Sequence, residues 1–423
     1  MNVLTPEPQG RLLFLLTAIF AVAHMDRHIL SISLDAIGQE FVLSDTQLGL
    51  LSGLVFAAMF LLAGFPIARL AARGNKRNIV ATSAVVWSLL TLMMSVAQNF
   101  THLVLARLGV GLGEAGAVAP AHAMISDRFP RETRTSALAS FATGANVGVL
   151  LAFLVGGIVG HMFGWRWAFV LAGLPGLILA LLLRYTTTDT SKSQSEQKAA
   201  ADPAVFRRTC YLIWNDRGLF HALCGLALIG IVTFGVLTWL PTFIIRTHGM
   251  TQAQTGIYLA LTTGIIGGFG TWYSGQLADR WGTRNPRWRI GIIILAILLS
   301  KPLIWIFFLT SSTSLALISF AFAATVSAIY WGPTFAYLHN RLPEDLRPMG
   351  TAIFLFGFNC VGVGIGPTVI GLASETLFAS HGQNGLRFAL STIQIVGIWA
   401  VFHYWRAMRE IDHVSPPTPS FSR

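Results

Sequence analysis

Residues 12–35 read LLFLLTAIFAVAHMDRHILSISLD. As a helix this stretch rises about 36 Å, more than the roughly 30 Å of a hydrocarbon core, so it is long enough to cross a membrane. Its middle nevertheless carries Asp26 and Arg27, which are expensive to bury in lipid and are seldom placed there without a use. The whole chain has the same character. Of its 423 residues 54% are hydrophobic and 11% charged, less than half the charge of an ordinary soluble chain, and the mean hydropathy is +0.63. A soluble enzyme is excluded, and so is a disordered chain, which could not keep so much apolar surface hydrated. Arg11, the apolar run to Val22 and the triplet Ala21-Val22-Ala23 imitate a cleaved signal peptide. Cleavage would leave an odd number of crossings and destroy the duplication described next, so the segment is read as the first span.

Further apolar segments lie at about 47–68, 79–97, 102–125, 135–160, 166–184, 219–245, 255–277, 290–309, 313–338, 349–373 and 386–405. The sequence therefore predicts an all-α membrane protein of twelve transmembrane helices. A polar stretch over 186–216 separates residues 1–185 from 217–423, giving two six-helix bundles and a linker. The halves resemble each other. Arg128-Phe129-Pro130 recurs as Arg341-Leu342-Pro343, and Gly144-x-Asn146 as Gly357-x-Asn359, both displaced by 213 residues. Related halves suggest rocking about a site at their interface, as in many secondary transporters.

A formal charge of +11 would suggest nucleic acid in a soluble chain. Here position decides otherwise. Of 29 Lys and Arg residues, three (Arg166, Arg246, Arg387) fall in the loops on one side and three (Arg27, Arg107, Lys301) within spans, which leaves 23 for the other side. That asymmetry places both termini in the cytoplasm. A bacterial inner membrane is the expected location, and a monomer surrounded by membrane lipid the expected state. Three scattered cysteines imply neither a disulfide framework nor a zinc site. No metal and no cofactor is expected; Gly111-Leu112-Gly113-Glu114-Ala115-Gly116 matches a dinucleotide fingerprint, but inside an apolar helix its glycines serve close packing.

The charges inside spans carry the chemistry. Arg107 and Glu114 are seven residues apart, nearly on one helical face and about 10 Å apart along the axis, so one cavity can hold both. Asp26 and Arg27 are adjacent and point in different directions, so Asp26 is expected to face another helix. A carboxyl that is wet in one conformation and dry or arginine-paired in the other binds protons differently in the two, as proton coupling requires. Asp26 is the first candidate for that role and Glu114 the second. Arg27, Arg107 and Glu114 are candidates for cargo binding, with the symmetric pair Asn146 and Asn359 and, from an aromatic second half, Tyr330 and Trp331. Phe234, Trp239, Tyr258, Trp272, Phe354 and Phe358 extend that greasy surface. A charged wall facing an apolar one suits a small amphiphilic substrate. The alternatives are a symporter of small organic anions and a passive lipid scramblase; no nucleophile with a base suggests an enzyme.

Gly275-Gln276-Leu277-Ala278-Asp279-Arg280-Trp281-Gly282-Thr283-Arg284 resembles the loop after the eighth helix of the major facilitator superfamily, which implies a conformational latch from Asp279, Arg280 and Arg284. The first half departs from this pattern, with Ala72 where the acid would stand. Met25-Asp26-Arg27, Arg107 to Ala115, Asp127-Arg128-Phe129-Pro130 and Gly164-Trp165-Arg166-Trp167-Ala168-Phe169 are similar to the Spinster-like branch of that superfamily. The resemblance implies proton-coupled, alternating-access movement of lysolipid- or sphingolipid-like molecules. It also implies proton-linked work for Asp26 and cavity or coupling roles for Arg107 and Glu114.

Overall fold

The computed structural model describes residues 9–188, 203–285 and 287–413. Helix runs through them, with no strand among the described residues. Eleven helices are long and apolar enough to cross a membrane: spans one (Gln9–Phe41), two (Asp45–Gly64), three (Lys76–Ser95), four (Phe100–Arg128), five (Glu132–Phe163) and six (Trp165–Thr186), then seven (Arg217–His248), nine (Trp288–Leu309), ten (Thr313–Arg341), eleven (Glu344–Glu375) and twelve (Ala379–Arg409). The eighth expected crossing is helical from Gln252 to Arg284, yet falls short of that apolar standard. Glycine and threonine occupy positions where leucine would raise the hydropathy. The reason is contact: the Cα of Gly256 would lie 2.7 Å from a Cβ placed on Gly157 of span five, so only small residues allow these backbones to meet.

Two breaks extend the internal duplication. Span four stops being α-helical after Glu114 and resumes at Val118, just before Pro120; span ten is interrupted by a tight turn over Ala328–Tyr330, just before Pro333. A proline lacks the amide hydrogen that would bond four residues back and its ring crowds that carbonyl, which accounts for both interruptions. These prolines are again 213 residues apart. The widened π turns lie at Ala260–Ile266 in span eight and Gly357–Val361 in span eleven; the first-half counterpart of the second, residues 144–148, lies in unbroken α-helix. The linker segment over 186–216 lies partly outside the described residues, and its last part is a helix, Pro203–Asn215, that leads through Asp216 into span seven.

The hydrogen bonds that join the halves gather at the end where span one finishes, called here the far end. Arg246 of span seven donates to Asp35 of span one at 2.6 Å and to Asp45 at the start of span two at 2.7 Å. Glu375 of span eleven accepts from the Asp45 amide at 2.6 Å and the Thr46 hydroxyl at 2.5 Å, occupying otherwise unpaired donors of a helix N-terminus. Gln252 of span eight donates to the carbonyls of Ile32 and Gly156 at 3.2 and 3.1 Å. At the opposite, near end several bonds among the described residues tie each half to itself. Lys76 meets Asp127 at 2.5 Å, Arg77 and Arg128 reach the carbonyls of Thr187 and Thr188, and Arg341 holds Asp216 at 2.6 Å together with the carbonyl of Glu410.

Closure of the far end depends on the Gly157–Gly256 approach, so a side chain there acts as a wedge. In a variant with the native cysteines replaced by serine, spin labels at the exposed Val42 and Thr376 report the separation of the halves. Gly256→Val should lengthen the distance distribution between them; an unchanged distribution would mean that this contact does not hold the end shut.

Candidate functional site

Four ionisable side chains meet inside the first half, on spans one and four. Asp26 and Glu114 are each 1% exposed, Arg107 2% and Arg27 14%. Their approach rests on the glycine run of span four. A Cβ on Gly111 would lie 2.6 Å from the Phe56 carbonyl of span two, and one on Gly113 would lie 2.7 Å from the Trp87 amide of span three, so any larger residue would push span four away. The run therefore works as a packing seam. Arg27 Nε donates to Glu114 Oε2 at 2.5 Å, and its guanidinium lies 5.1 and 5.2 Å from the ring centroids of Phe56 and Phe60. Arg107 sits over the same Phe56 ring at 4.7 Å. Two guanidinium groups on one ring are held partly by cation–π attraction, which strengthens as water is excluded.

Asp26 points away from its neighbour. Its Oδ1 accepts a hydrogen bond of 2.8 Å from Thr91 of span three. Pairing across the cluster is incomplete: among the described residues Asp26 Oδ2, Glu114 Oε1, Arg107 Nε and Nη1, and the indole nitrogen of Trp87 are buried without a partner. A buried polar atom left this way costs about 1–3 kcal/mol, more for a charged group. Such a set holds unused donors and acceptors of both signs, which can take up a proton or bind a polar head.

Arg27 connects this cluster to a crevice between the halves. One wall is Arg27, Phe56, Ala57 and Phe60; the other is Asn359, Cys360 and Val363, at and beside the π turn of span eleven. A π turn rotates the side chains that follow it relative to an unbroken helix and recurs at functional positions. The Asn359 amide nitrogen donates to the carbonyl of Leu355 on its own helix at 2.9 Å, and the residue lines the crevice. Asn146 is exposed one turn from Leu150, the residue that packs against Gly264 of span eight. It lies on the face of span five toward the second half, apart from the charged cluster.

Tyr330 and Trp331 belong to an aromatic group centred on Phe358, with ring centroids 5.9 and 5.1 Å from it; Phe234 completes the contact at 5.2 Å. This group backs the crevice through Phe358, whose chain neighbour is Asn359. Other members of the expected aromatic surface do structural work instead. Trp239 and Phe354 are fully buried, Trp239 donating to the Pro367 carbonyl at 2.9 Å, and Tyr258 bonds Leu317 at 2.7 Å to join spans eight and ten. The Trp272 side chain lies outside the described residues, as do those of Asp279 and Arg284; Arg280 is exposed. Asp127 pairs with Lys76 at that end of the first half.

Sequence reasoning did not single out Phe56, Phe60, Thr91, Cys360 or Val363. Phe56, Phe60, Thr91 and Val363 are of types that recur throughout the chain, and Cys360 is one of three cysteines with no motif around it. Only the i,i+4 spacing of Phe56 and Phe60 hinted at a shared face.

The sequence profile of the Major Facilitator Superfamily matches residues 16–367. The chain belongs to this superfamily. Its closely similar structures include a bacterial homologue of the human lysosomal transporter Spinster, solved inward-facing and unoccupied. That structure has a TM-score of 0.85 and 26% identity, with 97% of this chain and 99% of that chain covered. Among curated relatives, an MFS-type efflux pump of Mycolicibacterium smegmatis is 30% identical over 93% of this chain and 91% of its own. The cis,cis-muconate transport protein of Acinetobacter baylyi is 27% identical over 86% of each chain, and protein spinster homolog 3 of Danio rerio is 27% identical over 84% of this chain and 74% of its own. The protein is thus an integral membrane transporter of Spinster type with the major facilitator fold.

In this transporter the Arg27–Glu114 pair is buried enough that removing one partner strands the other charge, a loss of roughly 3–5 kcal/mol. Arg27→Met and Glu114→Leu should each lower the thermal stability of the purified protein more than the double substitution does. Additive losses would show that the two side chains do not depend on each other.

Proposed function

We propose that this major facilitator is a proton-coupled secondary transporter that moves a small amphiphile with an anionic head by alternating access. The observation that carries this reading is the incompletely paired cluster of Asp26, Arg27, Arg107 and Glu114, which opens through Arg27 onto a crevice walled by both halves. Arg27 and Arg107 would receive the anionic head, and Glu114, already bonded to Arg27, would be displaced from it by that head. Competition for one guanidinium links cargo to carboxyl: when the head takes Arg27, Glu114 loses its partner and gains affinity for a proton. Asp26, with a single neutral donor in Thr91, is the other proton carrier. Asn359 and, one step back, Tyr330 and Trp331 would face the rest of the cargo from the second half, with Asn146 on the path from the near end.

In this reading residues 1–185 and 217–423 rock as bundles joined by 186–216, with Asp279, Arg280 and Arg284 forming a latch at the near end. The basic excess there makes that end cytoplasmic in a bacterial inner membrane, which places both termini inside. In this reading the bonds of Arg246, Glu375 and Gln252 would close the outer side. A lipid-like cargo is what the sequence resemblance to the Spinster-like branch implies. A second reading, a symporter of small organic anions, is favoured by the paired arginines and by the muconate-transporting relative.

Three measurements on the protein in liposomes test these readings. Asp26→Asn should abolish the response of transport to an imposed pH gradient; a response of wild-type size removes Asp26 from coupling. Arg107→Ala should weaken anionic-headed cargo about tenfold more than neutral-headed cargo of the same chain length, a difference of roughly 1.4 kcal/mol. Equal losses would rule out recognition of the head. Long-chain anions should protect the Cys360 thiol from alkylation while short-chain anions at equal concentration should not, and the reverse would favour the organic-anion symporter.

A further inference from the structure

Spans seven and twelve pack side by side at the near end, with the linker helix Pro203–Asn215 packed on spans seven and eleven, and their outer groove changes character along its length. Nearest the middle of span twelve stands the exposed ring of Trp399, 5.9 Å from the ring of His403. Next comes a contact between spans, His221 Nδ1 to His403 Nδ1 at 3.0 Å, flanked by Phe402. Span seven begins at this end and span twelve finishes here, so Arg217, four residues before His221, and Arg406, three residues after His403, both lie about one turn further out. Both guanidinium groups, together with the Glu410 carboxylate, act on the charge of His221, so they converge on one locus. Arg409 stacks on Trp405 at 3.8 Å beside them. On the other flank the linker helix buries Thr209 and Ile213 against the second half and turns out Trp214, which is 74% exposed and meets Phe220 of span seven with ring centroids 5.1 Å apart.

An apolar floor, a polar middle and a cationic rim, read from the membrane interior outward, match the layers of one amphiphile lying parallel to the helices. We infer that this groove is a docking site for an anionic phospholipid of the surrounding bilayer, with its phosphodiester between Arg217 and Arg406 and an acyl chain along Phe402 and Trp399. Charge complementarity selects the occupant. Two arginines and the neighbouring Arg409 outweigh Glu410, since the nearby Asp216 is already held by Arg341, so a zwitterionic head leaves the rim uncompensated and an anionic head does not. Indole rings at Trp214 and Trp405 anchor the same level, where such rings settle at the membrane–water boundary. The bound lipid would touch the linker helix and both flanking spans, and so bears on the segment that joins the halves. The groove is separate from the crevice at Arg27, which the substitutions of the test leave unchanged, so a lost preference reports on the groove and not on cargo.

The test uses the full-length protein in mixed micelles supplied with equal phosphatidylcholine and phosphatidylglycerol, with retained lipids counted by native mass spectrometry. The wild type should keep phosphatidylglycerol in preference, and the Arg217→Gln, Arg406→Gln double variant should lose that preference by roughly tenfold. An undiminished preference in a variant that elutes as a single folded species overturns the site. So does equal retention of the two lipids by the wild type, a result that stands even when the variant fails to fold. Displacement of phosphatidylglycerol by soluble inorganic phosphate would mark a simple anion site and also overturn the inference, whereas resistance to phosphate supports it.

Discussion

A charge inside a bilayer must find a partner or find water, and the first half of this transporter is arranged around that constraint. Asp26, Glu114 and Arg107 are buried, and Arg27 largely so, in a helix bundle whose other buried residues are mostly apolar. One bond, Arg27 to Glu114, satisfies part of the demand, and a neutral hydroxyl on Thr91 satisfies another part. What remains unpaired is chemically specific, because it consists of carboxylate oxygens and guanidinium nitrogens near a crevice. A fully paired cluster would be a rigid structural pin. An unpaired one would be too expensive unless a ligand, a proton or a second conformation completed it at some stage of a cycle.

The rest of the architecture positions that cluster between two ends of different character. At the far end the halves approach backbone to backbone through Gly157 and Gly256 and are tied by Arg246, Glu375 and Gln252. These are charge-assisted or carbonyl bonds in partly wetted surroundings, each modest and breakable in turn. Among the described residues of the near end, the ion pairs Lys76–Asp127 and Arg341–Asp216 each stay within a half. Bonds that cross the interface resist its opening, whereas bonds within a bundle let it move as one body.

Much of this was legible in the sequence. The helical segments and the superfamily could be read because hydropathy and loop motifs are properties of the chain itself. Asp26, Arg27, Arg107 and Glu114 stood out because ionisable residues are rare in such segments. The eighth segment shows where the reading thins. Its glycines lower its hydropathy for the sake of contacts with span five that no local window can register. The aromatic residues were read too generously: Trp239, Tyr258 and Phe354 have the composition of a binding wall but the environment of a core.

The sequence alone determined the solvent this protein lives in, its helical class, its duplication and the identity of its costly charges, since each follows from residue type and spacing along one chain. Tertiary structure alone decided that Glu114 pairs with Arg27 and not with Arg107, that Asp26 turns to Thr91, and that Asn359 and Cys360 stand opposite Arg27. It also decided that Arg246, one basic residue among many, bridges the halves at Asp35 and Asp45. Those partnerships depend on the rotation of each helix about its axis and on packing between residues up to hundreds of positions apart. A periodic pattern gives the face a side chain occupies, and only the packed bundle gives what that face meets.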